Sequence, residues 1–247
     1  MPEGPSIVIL KNLIEELHLI NKEILEVSGN VKTINKELLL HKKVKGFKTW
    51  GKHFLICFDD FTVRIHLLMF GTYLFDDEKS TPLKLGLTFK NHQVNFYTCD
   101  IRFVEGKIED AYDFTADIMA DEWTPGKAFK KLKAKQASFI GDELLNQEIF
   151  SGVGNIIKNE ALYRAKIHPL NKVKDIPDSK LKLLIKQTRG YAFDFLEWKK
   201  AGTLKKHWEV YSKKVCPLNH DIEKKEIGDT KRQTYYCNHC QKRYLEK

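Results

Sequence analysis

MPEGP, residues 1–5, opens the chain, and Ile7, Leu10, Ile14 and Leu17 follow it at helical spacing. Pro5 suits the first turn of a helix, where its missing N–H is not needed. The pattern predicts a helix that begins almost at the first residue and anchors it. Proline at position 2 also permits removal of Met1. Pro2 would then be a free secondary amine, a nucleophile that no side chain can supply. The plain alternative is a frayed terminal residue.

Outward from that helix, residues 24 to 108 carry short β-rich runs: HFLICF (53–58), FTVRIHLLMF (61–70), LGLTF (85–89) and QVNFYTC (93–99). The last two are joined by the turn KNH. An antiparallel sandwich or barrel-like domain over residues 1–110 is expected. EDAYDFTADIMADEWTP, residues 109–125, is acidic and turn-rich, so residues 111–125 are read as a linker. Residues 126–208 turn helical, with stretches at about 137–150 and 155–166 separated by SGVGN and closed by His168–Pro169. Leu181, Leu184, Ile185, Thr188, Ala192 and Phe195 form one face of a further helix that Asp178 could cap. Residues 209–247 form a last module, and no internal repeat interrupts the order.

Lys and Arg outnumber Asp and Glu by 42 to 33 over 247 residues, a formal charge of +9. Such an excess suits a polyanionic partner, because each phosphate neutralised releases condensed counterions. No apolar run is long enough to cross a bilayer, and acidic Glu3 does not resemble the basic start of a secretion signal. A soluble, cytoplasmic monomer without a membrane partner is expected. Five cysteines is an odd number; Cys57 and Cys99 sit alone in strand-like runs as core fillers, so no disulfide framework is expected.

The other three thiols crowd the last module. Cys216 and His220, then Cys237 and Cys240, have the spacing of paired ligands that close a tetrahedron around a structural zinc ion, with a hairpin between the pairs. A two-residue gap from Cys216 lands on Asn219, a poor ligand, which selects His220. His239 stays open as an alternative fourth ligand. In SGVGN, Gly152, Gly154 and Asn155 stand at a helix start, where backbone N–H groups and the helix dipole can hold a phosphate.

MPEGP at the start, Gly51–Lys52, GVGN at 152–155 and a terminal hairpin containing KRQTYYC together resemble the formamidopyrimidine-DNA glycosylase and endonuclease VIII family, with the endonuclease VIII branch nearer. The motifs run in order from residue 1 to the last cysteine pair. The resemblance implies an α+β multidomain fold: an N-terminal antiparallel β-sandwich with flanking helices, a helix-two-turns-helix DNA-binding domain and a C-terminal β-hairpin zinc finger. It also implies a base-excision repair enzyme that flips a damaged base out of double-stranded DNA, removes it and cuts the strand. The enzyme would localise to the nucleoid when bound to DNA.

In that scheme the Pro2 amine attacks the sugar. An α-amino group titrates near ~8, so roughly a tenth is neutral at pH 7, far more than for lysine. Glu3 is the implied proton shuttle. Lys52 would contact phosphate beside the lesion, and Asn155 and Arg232 would clamp the backbone. Leu68, Met69 and Phe70, in LLMFG, match the loop that fills the hole left by the flipped base. Arg102 lies near a place where the glycosylase branch uses an arginine, and its role stays open.

Two features pull apart. Ser6 stands where many relatives carry glutamate, and residues 197–208 match in length the loop that covers oxidised purine in the glycosylase branch. The opening motif favours oxidised pyrimidines, which are the expected substrates. The rivals are an oxidised-purine enzyme, a non-catalytic DNA-binding protein with the same fold, and an RNA-binding zinc hairpin, for which no aromatic motif is seen.

Overall fold

The computed structural model describes residues 2–244, which divide into two compact units between Asp113 and Phe114. The first begins with α1 (Gly4–Glu15), whose first turn contains Pro5 and whose N-cap is Glu3. Ile7, Leu10 and Ile14 are buried, as the spacing predicts.

Behind α1 stand two four-stranded antiparallel sheets. One has the order β1 (Glu26–Ser28), β6 (Leu83–Thr88), β7 (Gln93–Tyr97), β5 (Thr72–Phe75). The other runs β2 (Gly46–Trp50), β3 (His53–Cys57), β4 (Phe61–His66), β8 (Asp100–Glu105). Phe54, Ile56, Val63, Ile65 and Ile101, two residues apart within their strands, point to one side of the second sheet and share a core with Leu85, Leu87, Val94 and Phe96. Burying each such side chain stabilises the fold by about 1.5–3 kcal/mol. Cys99 joins this core, and burial pushes its thiol up to about 12. The opposite face of the second sheet carries most of its polar side chains: His53, His66 and Asp100 lie in one cross-strand row, and Arg64 and Arg102 follow in the next beside the buried Leu55. A short helix, α2 (Ile108–Ala111), follows β8.

The second unit contains α3 (Pro125–Lys133), α4 (Ile140–Glu143), α5 (Asn155–Ala165), α6 (Asp178–Lys200) and the hairpin β9 (Glu223–Ile227) to β10 (Arg232–Tyr236). All six residues expected on the buried face of α6 are buried.

Three expectations are corrected. Residues 114–125 are not a linker: Ile118 and Trp123 belong to the second core, while Asp121 and Glu122 face solvent. The Arg189 guanidinium on α6 donates to the carbonyls of Ala120 and Trp123 and stacks over the Trp123 ring. The acidic composition marks one exposed side of a packed segment. Within 137–150, only the single turn of α4 is α-helical and turns follow it. Asp178 does not cap α6 either. Pro177 is the N-cap, and Asp178 sits in the first turn, where its carboxylate accepts from Lys133 Nζ at 2.8 Å and meets the positive end of the helix dipole. No residue of the 197–208 segment is fully buried: Trp198, Leu204 and Trp208 rest partly buried against the second core, and the Trp198 ring stacks on His207 at 4.2 Å.

Candidate functional site

In the first unit the head of α1 mounts Pro2 and Glu3. Glu3 has 0% exposure, and its carbonyl accepts the Ser6 N–H at 2.8 Å. Pro2 is half-buried. Ser6 is buried, and its hydroxyl has no hydrogen-bond partner among the described residues. α1 packs against β2 and β3, the hairpin whose two-residue turn is Gly51–Lys52. Gly51 has φ 54°, the positive value a II′ turn needs at its first position, and this puts Lys52 at the hairpin tip.

An aromatic cage supports that tip from behind. The Trp50 ring lies 5.0 Å from Tyr112 and 5.5 Å from His53, and its indole N–H donates to the Asp113 carbonyl at 3.0 Å. Burial, then Arg64 and His66, push the His53 imidazole down to about 3, with Lys52 adding to the effect and Asp100 opposing it. Burial also lowers His66, followed by Arg64 and Lys52. Two neutral imidazoles therefore stand near the lysine at physiological pH, able to donate or accept hydrogen bonds without adding charge.

Leu68, Met69 and Phe70 are exposed by 45%, 52% and 76%. Leu68 has φ 52°, and the Gly71 N–H closes the loop on the Leu67 carbonyl at 2.7 Å. A Cβ at Gly71 would stand 2.0 Å from that oxygen, so only glycine fits there. Three large apolar side chains facing water are an unusual patch that suits a ligand. Arg102 donates from Nε to Asp100 at 3.1 Å, and Arg64 holds the same carboxylate oxygen.

In the second unit Gly152 has φ 96° and Gly154 is the N-cap of α5. Asn155 is buried, and its Nδ2 donates to the carbonyl of Gln233, the residue after exposed Arg232, at 2.8 Å. The amide thus ties the helix start to the arginine strand and has a second hydrogen to offer. The structure brings Asn155 and Arg232 together.

Cys216, His220, Cys237 and Cys240 place their ligand atoms within 4.8 Å of one another and could hold a metal ion. Cys216 Sγ is 3.8 Å from Cys240 Sγ and 3.7 Å from His220 Nδ1. A tetrahedral centre with metal–sulfur bonds of about 2.3 Å has S···S edges of about 3.8 Å, so the donor set fits. His239 is outside the group and stacks on the His220 ring at 4.8 Å.

His53, His66, Asp142, Lys158 and Asn159 escape sequence reasoning. None carries a motif; strand register or helix packing alone brings each to its place.

A helix-headed sandwich, followed by a helical unit ending in a four-ligand hairpin, is the architecture of a defined class of DNA-repair fold. The formamidopyrimidine-DNA glycosylase N-terminal domain matches residues 1–105, and the formamidopyrimidine-DNA glycosylase H2TH domain matches residues 115–203. Endonuclease 8-like 3 of Homo sapiens is 32% identical over 209 residues, 80% of this chain and 34% of the relative. Endonuclease 8-like 2 of Bos taurus is 35% identical over 153 residues, 60% of this chain and 44% of the relative. The chain therefore spans about a third to under a half of the length of these relatives. Lactococcus lactis formamidopyrimidine-DNA glycosylase, solved bound to DNA containing an abasic site, superposes with a TM-score of 0.85 at 21% identity, covering 98% of this chain and 100% of that one. A viral DNA glycosylase superposes with a TM-score of 0.79 at 24% identity, over 97% and 99% of the two chains. The chain belongs to the formamidopyrimidine-DNA glycosylase and endonuclease VIII family, and lies nearer its endonuclease VIII branch.

Proposed function

We propose that the chain is a bifunctional DNA glycosylase and abasic-site lyase of base excision repair, acting on oxidised bases, pyrimidines first, in double-stranded DNA. Supporting this reading are its family membership and one structural observation: a fully buried Glu3 joined by a single peptide bond to Pro2 at the head of a core-anchored helix. Burial of the carboxylate and anchoring of the helix restrict both groups before a substrate arrives.

The neutral Pro2 nitrogen attacks C1′ of the flipped nucleotide, the glycosidic bond breaks with its electron pair leaving on the base, and the proton shed by the nitrogen neutralises that base. Glu3 donates the proton the sugar oxygen needs on ring opening and later accepts one. A secondary amine gives an iminium with permanent positive charge, which acidifies the C2′ hydrogen. Loss of that proton expels the 3′ phosphate, and a second proton loss expels the 5′ phosphate, completing β,δ-elimination. Lys52 and Arg232 neutralise phosphates beside the lesion, and Leu68, Met69 and Phe70 occupy the vacated stack. Cys216, His220, Cys237 and Cys240 would hold zinc, which serves here to fold the hairpin.

Borohydride added to protein and abasic-site duplex should trap a covalent complex whose modified residue is Pro2. Failure to trap with protein verified to lack Met1 would leave the non-catalytic DNA-binding reading in its place.

A further inference from the structure

The strand that begins with Arg232 is gripped from the helical side of its own unit on both flanks of that arginine. On the turn side, Asp142 of α4 accepts the Asp229 N–H at 2.8 Å, the Thr230 N–H at 3.3 Å and the Thr230 hydroxyl. Gly228 lets the carboxylate come this close: it has φ 77°, and a Cβ there would stand 2.4 Å from Asp142 Oδ2.

On the strand side, three α5 residues at helical spacing meet β10. Lys158 Nζ donates to Thr234 Oγ1 at 2.8 Å, and that hydroxyl donates to the carbonyl of Arg232 itself at 2.8 Å. Asn159 accepts the Tyr235 N–H at 3.3 Å, and Asn155 holds the Gln233 carbonyl. Lys158, Asn159 and Thr234 are exposed by 2%, 0% and 2%. A buried ammonium must be hydrogen-bonded, and the Thr234 hydroxyl supplies one of its acceptors. The pattern fixes backbone on either side of a residue whose own side chain projects into solvent.

We propose that Asp142 and Lys158 are positioning residues that present the Arg232 guanidinium to a DNA phosphate, Asp142 through the 228–230 turn and Lys158 through Thr234. The inference rests on the reading of Arg232 as a phosphate clamp. A hairpin free to move would lose backbone freedom when its arginine binds; a tethered one has already lost that part on folding, and only the side-chain rotamers remain to be ordered.

The experiment is a salt titration of binding to an undamaged duplex, read for Arg232→Ala, Asp142→Ala, Lys158→Met and the doubles that combine Arg232→Ala with each. Arg232→Ala should weaken binding about tenfold and lower the salt slope by about one. Asp142→Ala and Lys158→Met should each reproduce part of both effects alone and add nothing once Arg232 is absent. Asp142→Asn, which keeps an acceptor oxygen and the side-chain shape, should restore most of the loss; it also serves if Lys158→Met does not fold. Equal losses with and without Arg232, or an unchanged slope in Asp142→Ala, overturn the positioning role and leave the clamp standing. An unchanged slope in Arg232→Ala overturns the clamp and the positioning role with it.

Discussion

His53 on β3 and His66 on β4 face each other edge to face, with ring centroids 5.4 Å apart, and burial holds both imidazoles below their ordinary range. Unfolded, each would titrate near ~6.5; folded, His53 titrates at about 3. Between those values the unfolded chain takes up a proton that the folded chain refuses. The contribution of His53 to stability is therefore complete above about pH 6.5 and is lost progressively as pH falls towards 3. The melting temperature should drop across that window, and His53→Phe, which keeps an aromatic ring in the cage, should flatten the decline. A variant whose melting temperature follows pH as steeply as the parent would refute the assignment. His168, lowered to about 4 chiefly by burial, supplies a residual slope in the second unit.

The exposed loop after β4 separates binding from folding. Met69→Ala and Phe70→Ala remove surface side chains, so stability should change by no more than about 0.5 kcal/mol. Each should nevertheless reduce the preference for a duplex with a tetrahydrofuran abasic analogue over intact duplex by about tenfold, since stacking against a base contributes about 1–3 kcal/mol. Competition binding between the two duplexes measures this, and an undiminished ratio removes the wedge role.

Glu3→Gln preserves the size of a fully buried side chain and removes its proton. Single-turnover base excision should slow by about 10²–10⁴-fold, the range of general acid–base catalysis, while the circular dichroism spectrum stays that of the parent. Excision at the parental rate would assign the proton transfer to another group.

Elemental analysis should find one zinc per chain. His220→Ala should lose it and His239→Ala should keep it, because only His220 lies within ligand distance of the three thiolates. The opposite result would exchange the two histidines. Cys237→Ser, at a position with no solvent exposure, should also release the ion and weaken DNA binding through Arg232, while the first unit keeps its melting transition.

Most of the architecture was readable from periodicity. Strands β3, β4, β6 and β7, the buried face of α6 and the ligand set of the hairpin follow from β-rich runs, helical spacing and cysteine–histidine pairing, all local properties of the chain; β1, β2, β5 and β8 lie outside those runs. The 111–125 segment was misread because composition averages over residues: two buried side chains, Ile118 and Trp123, outweigh the carboxylates between them. The exposure of Leu68, Met69 and Phe70 was expected from the family motif; composition alone would bury them.

By itself the sequence determined the order of modules and the chemistry on offer, since a proline at position 2, a glutamate beside it and four metal ligands are chemical identities that need no fold to be recognised. Which histidines share a cage, which carboxylate seats the hairpin turn and which lysine reaches the Thr234 hydroxyl were decided only by tertiary structure. Those relations join residues far apart in the chain, through strand register and helix packing, and depend on where the backbone returns in space.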